Sequence, residues 1–164
     1  MKNAHRPDFL PLEPGLRLEY ELSRAQGRET LVVEHSVGPG GGVSVRRTWR
    51  TSDGKEESET SRAERREGGV YFDGELVLPL PARVGAAWAR PPREYRVEDL
   101  GASAETPAGR FTGCLRVGYL IAAGDGGSGE RFYAPGLGLV RETCADESDP
   151  FELVLTASSR ADVR

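Results

Sequence analysis

Few residues in this chain have the types and spacing that chemistry requires, and a glycine-rich loop at residues 124–129 is the first of them. Loops that hold phosphate lead into a helix N-terminus and carry a Lys before a Ser or Thr, because backbone N–H groups and the Lys charge bind the phosphate. Here the loop leads into another strand-like stretch, and no Lys follows it. We therefore expect a plain hairpin loop with no bound phosphate.

His35 is the histidine whose position in the pattern is informative, because it falls in phase with Leu31, Val33 and Val37. A buried histidine can be a metal ligand or a general base. The sequence, however, places no second histidine, acid or cysteine beside it. We expect a hydrogen-bonded histidine in the core or at its edge.

The two cysteines, Cys114 and Cys144, are predicted on the first and third strands of a meander. Neighbouring strands lie about 4.8 Å apart, so one intervening strand puts their Cα atoms beyond the limit of about 7 Å for a disulfide. We expect two free thiols. Two cysteines and two distant histidines cannot complete a zinc site, and we expect no metal or cofactor.

No catalytic motif stands out among the acids and serines. The acidic loop at residues 146–149 lacks the glycine and the ligand spacing of a calcium loop. The chain has no Gly-x-Ser-x-Gly sequence. A hydrolase with a pair of carboxylates stays open as the less favoured reading, because distances between acids cannot be read from sequence. Most acids fall in polar runs, which favours solvent, so we predict that the protein is not an enzyme.

The elements that must position these residues follow from alternation with a period of two. Such alternation marks a strand with one buried face. It is clearest in residues 111–121 and recurs in six other stretches, at 16–22, 29–37, 43–51, 70–74, 94–100 and 151–157. In the third of these stretches, Arg47 falls on the same side as Val45 and Trp49. Between the stretches lie turn signals, drawn from 21 Gly and 11 Pro.

These patterns predict one all-β domain over residues 1–164, with polar ends at 1–14 and 159–164. About ten strands and no confident helix favour a single curled antiparallel sheet, rich in meanders. Residues 55–67 are almost all charged or hydroxylic. We interpret them as a solvated edge strand, and a surface helix remains open.

Composition excludes some partners. The net charge is −4 with both signs interspersed, and no basic patch indicates nucleic acid. No run approaches the roughly 20 apolar residues of a membrane span. Residues 1–7 lack the apolar centre of a signal peptide. As it stands the sequence predicts a cytoplasmic protein, and an envelope or periplasmic one if a longer precursor was cut.

Several short motifs together resemble a family of mostly uncharacterised bacterial β-rich proteins, many of them named as hypothetical proteins or lipoproteins. The family pattern has a Pro-Leu opening with a Gly and an aromatic strand, a Thr-Pro-Ala-Gly-x-Phe turn, a Cys-Leu-x-Val strand and a Tyr-Ala-Pro-Gly-x-Gly-Leu-Val turn. The matching residues are Pro11, Leu12, Gly15 and Tyr20; Thr106–Gly109 and Phe111; Cys114, Leu115 and Val117; and Tyr133–Gly136 with Gly138–Val140.

This resemblance implies an antiparallel sheet curled into an open half-barrel, similar to the Lol-type lipoprotein carriers. It implies no known activity. Leu18 stands where the family pattern has a tryptophan, so the first strand matches less well. Many relatives carry an export signal, which this sequence does not show.

Two functions outside catalysis follow from such a shape. A concave apolar face can hold an apolar ligand, or the protein's own aromatics can fill it. The candidate lining residues are Trp49, Phe72, Trp88, Phe111 and Tyr119, and the alternative is that they are simply core. The second function is an accessory subunit with a self-filled core, which presents an edge strand or the turn at residues 135–139 to a protein partner.

Overall fold

A computed structural model describes residues 6–122 and 126–161, and over these residues the chain forms an antiparallel sheet of twelve strands with no α-helix. The strands are β1 Leu16–Arg24, β2 Gly27–Val37, β3 Val43–Thr51, β4 Glu56–Arg66, β5 Gly69–Phe72, β6 Glu75–Pro79, β7 Ala87–Arg90, β8 Arg93–Thr106, β9 Gly109–Ile121, β10 Gly127–Ala134, β11 Gly138–Cys144 and β12 Phe151–Arg160. A single 3₁₀ turn, Pro39–Gly41, joins β2 to β3. The predicted fold class is confirmed, with two strands more than the ten expected.

The sheet curls until its two ends meet, which makes a nearly closed barrel instead of a half-barrel. Its order is β6-β5-β4-β3-β2-β1-β12-β11-β10-β9-β8-β7, so β6 and β7 are the end strands. Glu75 of β6 and Arg90 of β7 form a salt bridge at 3.1 Å across the remaining gap. We call this gap between β6 and β7 the seam. Pro79 closes β6, as expected for a proline confined to an end strand.

The stretch at residues 55–67 is a strand, which excludes the surface helix. Only part of it is an edge, which corrects the prediction. Its last residues pair with β5, from Ala63 opposite Phe72 to Arg66 opposite Gly69, so β4 lies inside the sheet there. The first half pairs with β3 alone and is exposed. Charged side chains on that half keep the free edge soluble.

Two predicted turns have the backbone that their residues suggested. Asp73 and Gly74, between β5 and β6, both have positive φ, at 50° and 82°. A two-residue hairpin of the primed type needs this conformation at both positions. Gly136, between β10 and β11, also has a positive φ of 73°. The glycine loop leads into β10 as expected, but its residues 124 and 125 lie outside the described residues.

The β8–β9 hairpin is long and bent. Three register shifts interrupt its ladder between Val97 and Ala104, and bulges of this kind bend a strand. Its far end reaches β12, where the Ala108 N–H donates to the Leu155 carbonyl at 3.1 Å. Cys114 from this hairpin is buried in one cluster with Leu155 and Val140. The hairpin therefore packs back onto the barrel.

The segment before β1 crosses the barrel as a strap, which we define as residues 6–15. Phe9 of the strap is buried in the core. The Asp8 carboxylate pairs with Arg65 Nη2 at 2.8 Å, and the Gly136 N–H donates to the Asp8 carbonyl at 2.7 Å. These contacts tie the strap to β4 on one side and to the β10–β11 turn on the other.

The last strand, β12, extends beyond residue 157, where the predicted stretch ended, into the predicted polar end. It continues to Arg160, which pairs with Leu16, because the first residues of β1 provide backbone hydrogen-bond partners for the end of β12. The predictions for residues 1–5 and 162–164 lie outside the described residues. Within the described ranges, no helix is long and apolar enough to cross a membrane.

Candidate ligand-binding cavity

A partly open cavity of about 440 Å³ lies inside the barrel, lined by the strap and by residues of every strand except β9. Its apolar wall comes from aliphatic side chains that include Leu18, Leu31, Val33, Val45, Leu137 and Leu139. Leu10 and Pro11 of the strap also line it. Period-two alternation explains this wall, since alternate residues of each strand point inward. The result is an apolar space inside the sheet.

Charged side chains also face this cavity. Five arginines and two glutamates line it within the described ranges, so positive charges exceed negative ones by three. The arginines are Arg24, Arg47, Arg90, Arg93 and Arg131, and the acids are Glu59 and Glu142. Larger depressions of about 700 and 760 Å³ lie elsewhere, under the strap and across β8–β11. The interior cavity differs from them in its position inside the curled sheet, since the depression under the strap also combines apolar side chains with arginines.

Arg131 and Glu142 form a buried ion pair with Nε 3.0 Å from Oε1, and their side chains are 15% and 6% exposed. Tyr119 donates to the other carboxylate oxygen at 2.7 Å. Burial and the Glu142 charge raise the pKa of Tyr119. Burial alone would lower the pKa of Arg131, but the Glu142 carboxylate reverses this and raises it. This group is satisfied within the protein.

Arg47 projects into the cavity from β3, on the side predicted from its phase with Val45. Its Nη1 lies 3.3 Å from Glu59 Oε1, and its guanidinium lies 5.1 Å from the Phe72 ring centroid. Burial lowers the pKa of Arg47, Glu59 opposes that shift, and Arg90 and Arg131 lower it again. Glu59 is 59% exposed, so it neutralises Arg47 from the solvent side.

Arg90 and Arg93 are direct cross-strand partners at the β7–β8 turn. Both line the cavity. Arg90 pairs with Glu75 across the seam, whereas Arg93 has no carboxylate within 4.0 Å among the described residues. The guanidinium of Arg93 lies 4.9 Å from the Tyr119 ring centroid. Like charges directly opposite each other on a sheet repel, so the Arg90–Arg93 pairing lowers the stability of the fold.

The structure brings two of the five predicted site residues to the cavity. Trp49 and Phe72 line it. Trp88 instead stacks on Tyr95 with ring centroids 5.3 Å apart, and Tyr119 packs in the same core cluster. Phe111 packs against the other cluster, on the bent hairpin. Trp88, Phe111 and Tyr119 are therefore core residues here, and a ligand contact stays a prediction for Trp49 and Phe72.

His35 is buried at 7% exposure and lines the cavity. Burial, followed by the charge of Arg47, lowers its pKa, so the ring is neutral at about pH 7. Its Nδ1 has no hydrogen-bond partner in the part of the chain that the structure describes. The expectation of a hydrogen-bonded histidine is therefore wrong for this nitrogen, because the walls around it supply apolar groups and a cation.

Cys114 and Cys144 are both free and buried, as predicted. Burial raises the pKa of Cys114, which makes its thiol unreactive. Over residues 6–122 and 126–161, no group of three His, Cys, Asp or Glu side chains has the geometry to hold a metal ion.

Sequence reasoning missed the inward-facing charges at Arg90, Arg93, Arg131 and Glu142. The expectation that acids face solvent is wrong for Glu142, which is 5% exposed. A signal was present for Arg93, since it shares the phase of Tyr95 and Val97, both buried. The same alternation that placed Arg47 would have placed Arg93.

Comparisons with known proteins reveal likeness in structure. A candidate lipoprotein from Parabacteroides distasonis matches with a TM-score of 0.54 and 16% identity, over 93% of this chain and 99% of that one. A candidate exported protein with a YmcC-like fold from Bacteroides fragilis matches with a TM-score of 0.59 and 18% identity, over 94% and 100%. The chain is similar to both in fold. No family model and no curated protein matches it.

Proposed function

We propose that this protein is a non-enzymatic binding module that holds an apolar small molecule inside its barrel. The observation that carries this proposal is the cavity of about 440 Å³ with its aliphatic wall. Small-molecule sites span roughly 300–1,000 Å³ and are mostly apolar with a few placed polar groups. The cavity meets both conditions.

The same observation weighs against an accessory subunit with a self-filled core. Protein interiors pack as densely as organic crystals and leave few voids larger than a water molecule. The core clusters that contain Leu115 and Leu155 agree with this, since both side chains are fully buried. A space lined by Leu31, Val33 and Val45 is an exception that favours an occupant.

The seam supplies a route for the ligand. A depression of about 380 Å³ lies there, lined by residues that include Asp73 and Glu75. It shares Arg47, Glu59, Phe72 and Arg90 with the interior cavity. The two spaces therefore adjoin at these side chains, and under this proposal a ligand passes between β6 and β7 when the side chains move aside.

We place this binding activity outside the cytoplasm, in the cell envelope. Support comes from the names of the two similar structures, one a candidate lipoprotein and the other a candidate exported protein. The cytoplasmic location expected from the sequence finds no support in them. Fractionation of the native host, with an antibody against this chain, tests the proposal, and recovery in the cytosolic fraction alone would refute it.

A neutral fluorescent probe, N-phenyl-1-naphthylamine, tests the cavity. We expect saturable uptake by the folded protein and a loss of uptake in Val33→Trp, which fills the space from β2. Val37→Trp is the matched control, because Val37 lies on the same strand and is 67% exposed. Circular dichroism verifies that each variant is folded. Absence of saturable uptake by the folded wild-type protein refutes the proposal, and unchanged uptake by folded Val33→Trp refutes the site.

A further inference from the structure

We infer that the natural ligand is an anionic amphiphile whose oxyanion head, a carboxylate or a phosphate, is bound by Arg47, Arg90 and Arg93. The inference rests on the proposed function and specifies the ligand class for the same cavity. It begins from the five arginines on the cavity wall within the described residues, which outnumber the two acids there because the partners of Arg24 and Arg90 lie outside the wall and Arg93 has none. Cations are costly inside a low-dielectric space unless anions accompany them.

The first step is to separate structural arginines from available ones. Arg131 is held by Glu142, which is itself bound by Tyr119, so this pair is complete. Arg24 pairs with Asp149 and Glu29 on the far side of β1. Neither arginine needs a ligand anion, and both fall outside the proposed head site.

The second step concerns the three that remain. Arg47 and Arg90 each pair with a carboxylate that is more than half exposed, Glu59 at 59% and Glu75 at 68%. Exposed pairs contribute little to stability and exchange readily with other anions. Arg93 has no carboxylate within 4.0 Å in the part of the chain that the structure describes, although it stands directly opposite Arg90. A bound anion between them would relieve this repulsion.

The third step is orientation. Arg47 stacks over Phe72 and Arg93 over Tyr119, with centroid distances of 5.1 and 4.9 Å. Stacking occupies the face of a guanidinium and leaves its in-plane N–H donors free, and this planar fork matches the oxygens of a carboxylate or phosphate. The aromatic rings thus hold two arginines in place. Nη1 of Arg47 donates to Glu59 and Ser61 at 3.3 and 3.4 Å, and within the described residues its Nε and Nη2 have no such partner.

The position of the head site agrees with the route at the seam. Arg47 and Arg90 line both the surface depression and the interior cavity. An amphiphile bound there keeps its charged head near solvent, while its chain points toward Leu31 and Val33 on the apolar wall. The charged head of the ligand therefore lies beside the arginines, and its apolar chain lies against the aliphatic side chains.

The test compares cis-parinaric acid with its methyl ester, which has the same fluorescent chain without the charge. We expect the acid to bind at least about tenfold more tightly at low salt, as for a charge-assisted hydrogen bond. Displacement of the acid by dodecyl phosphate or by dodecanoate then identifies which oxyanion the site prefers. Binding of the acid should weaken as salt rises.

Matched variants assign the effect to residues. Arg93→Met and Arg47→Met should each lower the affinity for the acid by about tenfold and leave the affinity for the ester unchanged. Arg46→Met is the control, because Arg46 lies next to Arg47 on β3 and is exposed. Glu59→Gln should raise the affinity for the acid severalfold, since it removes the carboxylate that competes with the ligand for Arg47. If an arginine had only a structural role, its substitution would change the affinities for the acid and the ester by the same factor.

The outcomes separate the two proposals. Equal affinity for acid, alkyl phosphate and ester, with no effect of the Arg47 and Arg93 variants, overturns the oxyanion head and leaves the apolar cavity intact. Failure of all three probes to bind folded protein overturns the proposed function as well.

Discussion

The guanidinium of Arg131 and the carboxylate of Glu142 form an ion pair inside the barrel, with Nε 3.0 Å from Oε1. The two residues are opposite each other on β10 and β11. Tyr119 from β9 donates to the free carboxylate oxygen at 2.7 Å. One buried network therefore ties three consecutive strands together, β9, β10 and β11.

Glu142→Gln is expected to destabilise the protein by about 3–5 kcal/mol, because it leaves the Arg131 charge buried without its partner. Equilibrium unfolding in urea measures the change. Glu56→Gln is the matched control, since its pair with Arg50 at 2.8 Å is exposed on both sides. We expect the control to cost less than about 1 kcal/mol. Equal costs for the two variants would show that the buried pair has no special role.

Gly129→Ala is expected to destabilise the barrel by about 1–3 kcal/mol through overpacking. The ring of Tyr119 crosses β10 directly over Gly129, and an added Cβ would overlap its Cζ. Gly101→Ala is the control, because a Cβ there meets nothing closer than the Asp99 carboxylate at 3.8 Å. Thermal unfolding reports both. A Gly129→Ala protein as stable as the control would mean that the Tyr119 ring can move without cost.

Three tyrosines should ionise in the folded protein only at a pH above that at which exposed tyrosines ionise, about pH 10. Burial raises the pKa of Tyr20, Tyr119 and Tyr133 above the ordinary value. The unfolded chain therefore loses these protons first, so their contribution to stability is complete below about pH 10 and falls above it. Ultraviolet absorbance of tyrosinate should rise together with the loss of circular dichroism. Ionisation of all five tyrosines near pH 10 with the fold intact would contradict this.

Phe9→Ala is expected to cost about 3–5 kcal/mol, as for a fully buried phenylalanine. Phe9 is 4% exposed and anchors the strap in the core cluster that contains Leu78 and Leu115. Urea unfolding and limited proteolysis measure the global and the local effect. Val84→Ala, at a side chain that is 62% exposed, should change stability by less than about 0.5 kcal/mol. A Phe9→Ala protein as stable as that control would mean that the strap contributes little to the fold.

The period-two pattern predicted the wall of the barrel well. Leu16, Leu18, Tyr20 and Leu22 are all buried, and the residues between them are not. This works because β1 lies between two long partners and carries no extra residue itself, since the register shift in its pairing with β12 falls at Thr156 of β12. Alternation alone therefore decides which side chains of β1 face inward. The same reasoning placed Trp49 on the inner face, and it lines the cavity.

The charged interior was harder to foresee, and β11 shows why. Leu139 and Glu142 differ in parity, yet both line the cavity. A register shift lies between them, opposite Phe132 and Tyr133, and a bulge changes which residues face inward. Parity counted along the sequence therefore fails on one side of the shift. The diameter of a barrel depends on the number and tilt of its strands, which no local sequence pattern specifies. The sequence therefore could not decide whether Phe111 or Trp88 reaches the cavity.

The seam is the place where the wall of this barrel lacks a ladder of backbone hydrogen bonds, because β6 and β7 do not pair. Parting the two strands near Glu75 breaks side-chain contacts such as the exposed Glu75–Arg90 pair, whereas Leu78 of β6 is buried with Leu115 and holds the other end of the strand in the core. Under the proposed function, a ligand bulkier than the resting cavity would enter by outward movement of the short β5–β6 edge. The volume of ligand that the cavity can hold would then depend on how far this edge moves and not on the fixed circumference of a closed barrel.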